Sequence, residues 1–420
     1  MQPSPAPIPD KPAEAPLSLY HLLDPEVLGN PYPLYHRIRE HDPVYWDPYL
    51  HAWIVTRYDD VVTVLQRFSA ARTPGPKFFE VLGAPEVAPV AKVMIKQMLF
   101  MDPPGHTRLR KLAGLFFTPA RVRLLHDHVQ EIALCLLDDV IARGTGRIEL
   151  LSDFAELLPA IVTTEMIGLP SEDHVKLKVW SETFAEILGN FQHNPDRLTQ
   201  VLRAIEGFND YFRQAMDEQR AHPREGLLRA FMNAEVDGDR LTDDEIVANC
   251  IITVVGGSET STNLITSGIL TLLRNPEQFR RLRSEPNIMP AALEELLRYE
   301  SPVQHTARLA PDDVVLGGKK IAKRQAVMAV IAAANRDPDR FPDPDRLDFD
   351  RPDNHRHLAF GWGAHYCFGA PLARLEGQIG FETLIARFSD LELEEGPLAW
   401  RENHGLRGLL ALPLRYKVHA

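Results

Sequence analysis

Phe360-Gly361-Trp362-Gly363-Ala364-His365-Tyr366-Cys367-Phe368-Gly369 packs three glycines and one cysteine into ten residues. Glycine adopts backbone angles that other residues resist, so this stretch can bend tightly and let a flat group approach its backbone. Ala370-Pro371-Leu372-Ala373-Arg374-Leu375-Glu376 follows and reads as a helix with proline in its first turn. Cys367 thus stands just before a helix N-terminus, where free N–H groups and the positive dipole end favour thiolate. Two readings follow from the residues alone: a thiolate metal ligand in a glycine-rich bend, or a small buried hydrophobe.

A second stretch, Gly256-Gly257-Ser258-Glu259-Thr260, lies in the middle of a long apolar run at helical period. Paired glycines in mid-helix cost about 1 kcal/mol each against alanine. The sequence therefore predicts a locally loosened helix, approached closely by a large ligand. Glu259 and Thr260 set a carboxyl beside a hydroxyl, which can hold and pass protons. A kinked core helix with one satisfied glutamate is the other reading. Glu295 and Arg298 at i,i+3 make an ordinary ion pair by themselves. His106 and Arg110, four apart, share one helix face.

The elements that must position these residues can be read in order. Residues 17–41 suggest a short helical start, and 43–46 with 52–56 a β-hairpin. Residues 71–100 are irregular, proline-broken and rich in large apolar side chains, a length of loop that is often functional. Helices are expected over 120–142, 158–167, 173–188 and 196–222, with 189–194 as a mobile hinge. Thr242-Asp243-Asp244-Glu245 is a capping box opening a central helix that ends near Pro276. About thirty residues at 1.5 Å each give roughly 45 Å, enough to cross a domain of this size. A helix at 290–299, strands at 314–316 and 326–333, a charged meander at 335–352 and β-structure at 405–418 complete the chain.

At 420 residues, length alone allows two or three domains. A hydrophobic content of 45% supports a large core, and the net charge of −12 argues against a nucleic-acid partner. Cys135 and Cys250 lie in apolar helical patterns and read as core; with Cys367 they form no C-x-x-C pair, so neither a zinc site nor a disulfide framework is suggested. Residues 1–16 contain six prolines and no apolar signal core, so they read as a disordered tail without a membrane anchor. The run 246–273 is apolar, yet Glu259 at its centre favours a buried helix over a membrane span. A reducing cytoplasm is the expected setting.

The spacing F-G-x-G-x-H-x-C-x-G resembles the haem-ligand loop of the cytochrome P450 family, with every fixed position matched. Gly256 to Thr260 resembles the family's acid–alcohol segment, Glu295-Leu296-Leu297-Arg298 its E-x-x-R pair, and Pro344-Asp345-Arg346-Leu347 the place of the third partner. The likeness runs over residues 17–418, departing at Gly256, where alanine is usual, and at Leu347, where phenylalanine is frequent. It implies one domain over 17–420, mainly α with a small β region, its long central helix lying over haem b. Cys367 would then be the axial iron ligand. Gly256, Phe360, Gly361 and Gly369 would shape the cofactor site, with His106, Arg110, Arg308 and His365 on the propionates. Glu295, Arg298 and Arg346 would brace the loop, and Glu259 and Thr260 would pass protons to dioxygen before its O–O bond breaks.

The implied activity is a monooxygenase for an apolar substrate, a monomer driven by a ferredoxin or flavodoxin and its NAD(P)H reductase. No flavin or nicotinamide fingerprint occurs in the chain itself. Arg108, Lys111 and Arg374 are candidate docking charges. The pocket candidates are Phe78, Phe79 and Leu82, then Phe184, Leu188 and Phe191, then Ile252, Val255, Val303 and His305. Peroxide-driven oxidation would leave Glu259 and Thr260 without a task, and a haem sensor would not need them. Coupling or desaturation on the same fold stays open.

Overall fold

The computed structural model describes residues 17–114, 117–188, 195–236 and 238–419; segments 1–16 and 189–194, read as tail and hinge, lie outside them. Eight helices frame the site: α1 (Gly105–Gly114), α2 (His126–Ala142), α3 (Leu157–Ile167), α4 (His174–Ala185), α5 (Pro195–Ala221), α6 (Asp243–Arg274), α7 (Met289–Tyr299) and α8 (Ala370–Arg387). Of the strands among the described residues, those of the two larger sheets are β1 (Val44–Asp47), β2 (Ala52–Val55), β3 (Arg147–Glu149), β4 (Thr306–Leu309), β5 (Ala326–Ala329), β6 (Phe388–Leu393) and β7 (Pro413–Val418). The architecture is mainly helical with small sheets, as the sequence predicts.

Everything is arranged around α6. Its capping box is formed: Glu245 N–H donates to Thr242 Oγ1 at 3.3 Å, and Thr242 N–H to Glu245 Oε2 at 2.9 Å. Such reciprocal capping satisfies two otherwise orphaned donors. The 32-residue helix is buried along most of its length and packs against α3, α4, α5 and α8. Apolar residues on all sides are what a helix inside a core requires.

The paired glycines do not loosen α6, which runs unbroken through them. Packing accounts for them better than flexibility does. A Cβ on Gly257 would stand 2.7 Å from Thr163 Oγ1 of α3, so the two helices meet there without a side chain between. A Cβ on Gly256 would meet nothing within 4 Å, because that face opens on a cavity.

The larger sheet has the order β1-β2-β5-β4. Its hairpin pairs Val44 with Val55; β2 runs parallel to β5 with Trp53 opposite Val327, and β4 is antiparallel to β5 with Arg308 opposite Val327. A second sheet, β6-β7-β3, holds the C-terminal strand.

Several boundaries differ from expectation. The chain turns helical again at Ile331–Ala334, so the strand expected to reach 333 stops at Ala329. Residues 119–142 form two helices, and 71–100 contain two short ones, Pro76–Val81 and Ala88–Met94. Strand structure near the C-terminus is confined to Pro413–Val418 and isolated bridges at Val303–Leu406 and Trp400–Leu409. Cys250 is fully buried, but Cys135 is exposed: the buried stripe of α2 is Val129, Ala133, Leu137 and Val140, and Cys135 faces away from it.

Candidate functional site

The loop before α8 is fixed by its own backbone. Gly361 and Gly363 take φ of +73° and +70°, the left-handed region that side chains disfavour, and Cys367 N–H donates to Phe360 O at 2.8 Å. The sulfur's exposed surface faces a cavity of about 540 Å³. Burial pushes its thiol pKa up, while the N–H groups of Gly369 and Ala370 and the guanidiniums of Arg110 and Arg374 pull it down. Burial wins, so the helix terminus alone does not make a thiolate; a bound cation would.

Thr260, Gly256 and Gly257 of α6 line the same cavity. The Thr260 hydroxyl donates to Gly256 O at 2.7 Å, folding back on its own helix. Glu259 points elsewhere. It is buried behind α6, where Arg401 Nη1 donates to its Oε2 at 2.8 Å. Arg401 Nη2 also donates to Glu156, and Lys178 bridges Glu156 and Glu182, at 2.7 and 2.8 Å. Burial raises the Glu259 pKa to about 7, opposed by Arg401 and aided by Glu182 and Glu156.

A second acid sits on the cavity wall itself. Glu376, nine residues beyond Cys367 on α8, accepts from Ser261 Oγ at 2.6 Å through Oε2. Its Oε1 is buried without a partner, and burial lifts its pKa to about 8. Neither Arg401 nor Glu376 carries a sequence signal beyond its charge, because their partners are 142 and 115 residues away.

The basic residues converge. His106 and His365 lie with ring centroids 4.0 Å apart and planes tilted by 40°, and both line the cavity with Arg110 and Arg308. Burial lowers the pKa of His365 to about 3 and of Arg308 to about 10. The Arg308 Nε has no partner, an expensive state for a buried donor. Arg110 donates to Tyr366 O and reaches across to the loop. Arg72, unremarked in the sequence, joins this wall.

Glu295 and Arg298 are fully buried and bonded through two contacts of 2.8 Å. The third member is not Arg346, whose side chain is largely exposed and paired with Asp348. Arg351 takes that place, its Nε donating to Glu295 Oε1 at 3.0 Å. The meander turns so that the Arg346 carbonyl, not its side chain, faces inward and accepts from Arg298 and Arg351.

Of the pocket candidates, Leu188, Ile252, Val255, Val303 and His305 line the cavity. Phe78 and Leu82 are exposed on a short helix outside it, and Phe79 is half-buried there. Their share of the wall is taken by Arg72, Thr73, Met94, Met98 and Phe100, from both ends of the same segment. Phe184 packs in the helical core instead, and Phe191 lies outside the described residues. Two of the docking charges are committed. Arg374 grips Glu294 at 2.6 and 2.9 Å and lies 4.4 Å over the Phe360 ring, and Arg108 pairs with Glu245 and Asp239.

The residues fit an iron porphyrin. A sulfur and a glycine-bared helix line one apolar space, and basic groups without a carboxylate partner line it too, suited to two carboxylates. Among the described residues no group of three or more acidic, His or Cys side chains forms an alternative metal site.

Comparison with known proteins agrees. The family model described as Cytochrome P450 matches residues 83–420. The cytochrome P450 monooxygenase PikC of Streptomyces venezuelae is 38% identical over 408 residues, covering 94% of this chain and 93% of its own. The crystal structure of P450BioI, in complex with hexadec-9Z-enoic acid ligated acyl carrier protein, superposes with a TM-score of 0.88 at 34% identity, covering 94% of this chain and 99% of that one. Myxobacterial CYP267B1 in complex with myristic acid gives 0.86 at 34% identity, covering 96% and 100%. With a family model spanning most of its length and relatives matched nearly end to end, the chain belongs to the cytochrome P450 family.

Proposed function

We propose that this P450 holds haem b through Cys367 and inserts one oxygen atom of O2 into an apolar, small-to-medium substrate by hydroxylation or epoxidation. The observation that carries the reading is that Cys367 and Thr260 line one and the same apolar cavity. Haem held by a cysteine thiolate supplies, when bound, oxidation of a C–H or C=C bond by O2, two electrons and two protons, with water as the second product.

The chain's own residues do the rest. Cys367 Sγ holds the iron, and the loop fixes its position through the Phe360 carbonyl. Thr260 Oγ1 has only a helix carbonyl as partner, so it can turn into the cavity and donate there. Glu259, its pKa raised by burial to about 7, can both take up and release a proton near neutral pH and connects through Arg401, Glu156 and Lys178 to Glu182, which is partly exposed. Glu376 is a second proton store, next to Ser261 on the cavity side. Leu188, Ile252, Val255 and Val303 exclude water and favour an aliphatic substrate. The similar structures in complex with hexadec-9Z-enoic acid ligated acyl carrier protein and with myristic acid support beginning with long-chain acyl compounds.

Two electrons must arrive from a separate protein, for which a ferredoxin or flavodoxin with its NAD(P)H reductase is the proposed source. We further read residues 17–420 as one haem domain acting as a monomer.

The decisive measurement is the spectrum of the reduced, carbon-monoxide-bound protein. It should carry the red-shifted thiolate band, lost in Cys367→Ala; persistence of the band in that variant would end the assignment. Thr260→Ala should consume electrons without forming product in proportion, and unchanged coupling would remove it from proton delivery. Screening aliphatic acids, esters and terpenoids for a low-to-high-spin change would identify the substrate class.

A further inference from the structure

Two guanidiniums in the cavity wall, those of Arg72 and Arg308, form no ion pair among the described residues. Arg308 projects from β4, its Nη1 donating to Thr306 Oγ1 at 3.0 Å and Ala307 O at 2.9 Å while Nε stays unpartnered. Arg72 lies close by, because Ser69 bridges to Leu309 with paired backbone bonds of 2.9 Å and brings residues 70–72 alongside β4. Arg72 Nη1 makes one long bond of 3.3 Å to Ala70 O, and its guanidinium sits 4.4 Å over the Phe100 ring.

Asp102, the carboxylate whose charge acts on Arg308, is already taken by Ser69 Oγ at 2.5 Å and Ala70 N–H at 2.8 Å. Burial and the neighbouring Arg308 lower the Arg72 pKa to about 9, the direction expected of a cation awaiting its anion. Two like charges held together in a desolvated wall are strongly unfavourable unless a ligand brings negative charge between them. Two guanidiniums call for two carboxylates, and arginine's fork suits carboxylates best. Arg110, by contrast, already donates to the loop at Tyr366 O.

We propose that Arg72 binds one haem propionate and Arg308 the other. The inference rests on the haem reading above and adds to it a residue no sequence motif marks. It also gives residues 71–100 an anchor: the segment that closes one side of the cavity is tied at its first turn to the cofactor rather than to the protein.

The test is the rate of haem release from the holoprotein to excess apomyoglobin, for wild type, Arg72→Gln and Arg72→Lys, loaded with haem or with its dimethyl ester. Losing one charge-assisted contact should speed haem release roughly 10- to 100-fold in Arg72→Gln, with Arg72→Lys between it and wild type. With the propionates esterified, wild type and Arg72→Gln should release at the same rate. Equal release of native haem by wild type and Arg72→Gln overturns the proposal, as does an equal acceleration with the ester. If instead Arg72→Gln keeps its haem but loses the spin shift caused by a fatty acid and not that caused by its methyl ester, the carboxylate is the substrate's and the proposal fails. The carbon-monoxide spectrum of Arg72→Gln keeps the thiolate assignment separate from all these outcomes.

Discussion

Glu376 illustrates how a single side chain stores information about pH. Its carboxyl has an ordinary pKa of 4.5 and a folded-state value of about 8, raised by burial and opposed by the Ser261 hydroxyl. Below pH 4.5 both folded and unfolded chains carry the proton, and stability is indifferent to pH on its account. Between about 4.5 and 8 the unfolded chain releases the proton while the fold retains it, so stability falls as pH rises, by up to about 1.4 kcal/mol per unit. Above 8 both are ionised and the loss levels off. Glu376→Gln should therefore flatten the decline of the denaturant midpoint between pH 5 and 8; an unchanged slope would mean the carboxyl is ionised in the fold. Glu259 adds a smaller contribution of the same sign, ending near 7.

At the scale of elements, two pairs of neighbouring positions predict opposite outcomes. Gly257→Ala would drive a methyl against Thr163 of α3 and should cost about 1–3 kcal/mol by overpacking. Gly256→Ala, one residue earlier, meets open cavity and should stabilise the fold by up to about 1 kcal/mol through helix propensity. In the meander, Arg351→Ala removes a buried partner of Glu295 and should cost roughly 3–5 kcal/mol. Arg346→Ala removes an exposed ion pair and should stay within about 0.5 kcal/mol. Urea midpoints of the four variants check all of this, and the reverse ranking within either pair would contradict the packing described. The E-x-x-R helix was legible because both residues lie on one helix. Its third partner was not, since a turn of the meander decides which arginine of residues 346–351 points inward.

Over the whole molecule, net charge is negative, while Arg110 and Arg374 stand near enough to Cys367 to act on its thiol and Lys111 follows Arg110 on α1. Arg374 and Arg108 are occupied in bracing the loop and α6, which leaves exposed Lys111 on α1 as the docking charge to test. Lys111→Glu should slow electron transfer several-fold at low salt and weaken its ionic-strength dependence, since rim charges act mainly on encounter. Identical rates in stopped flow would exclude it. Arg374→Glu should instead disturb the cysteine loop itself, because it breaks the contacts with Glu294 that hold that carboxyl at about pKa 2.

Local patterns in the sequence determined the cysteine loop, the capped central helix, the Glu295–Arg298 pair and the mainly helical class. Each depends on residues within about ten positions of one another, where backbone period and turn chemistry govern geometry. Tertiary structure decided what distant segments do together. It turned Glu259 toward Arg401 and placed Glu376 on the cavity wall. It left Phe78 and Leu82 outside while Met94, Met98 and Phe100 moved in. It also set Arg72 beside Arg308 through a single strand bridge, across more than 230 residues of chain. Burial and long-range pairing create these relations, and neither is written in local spacing.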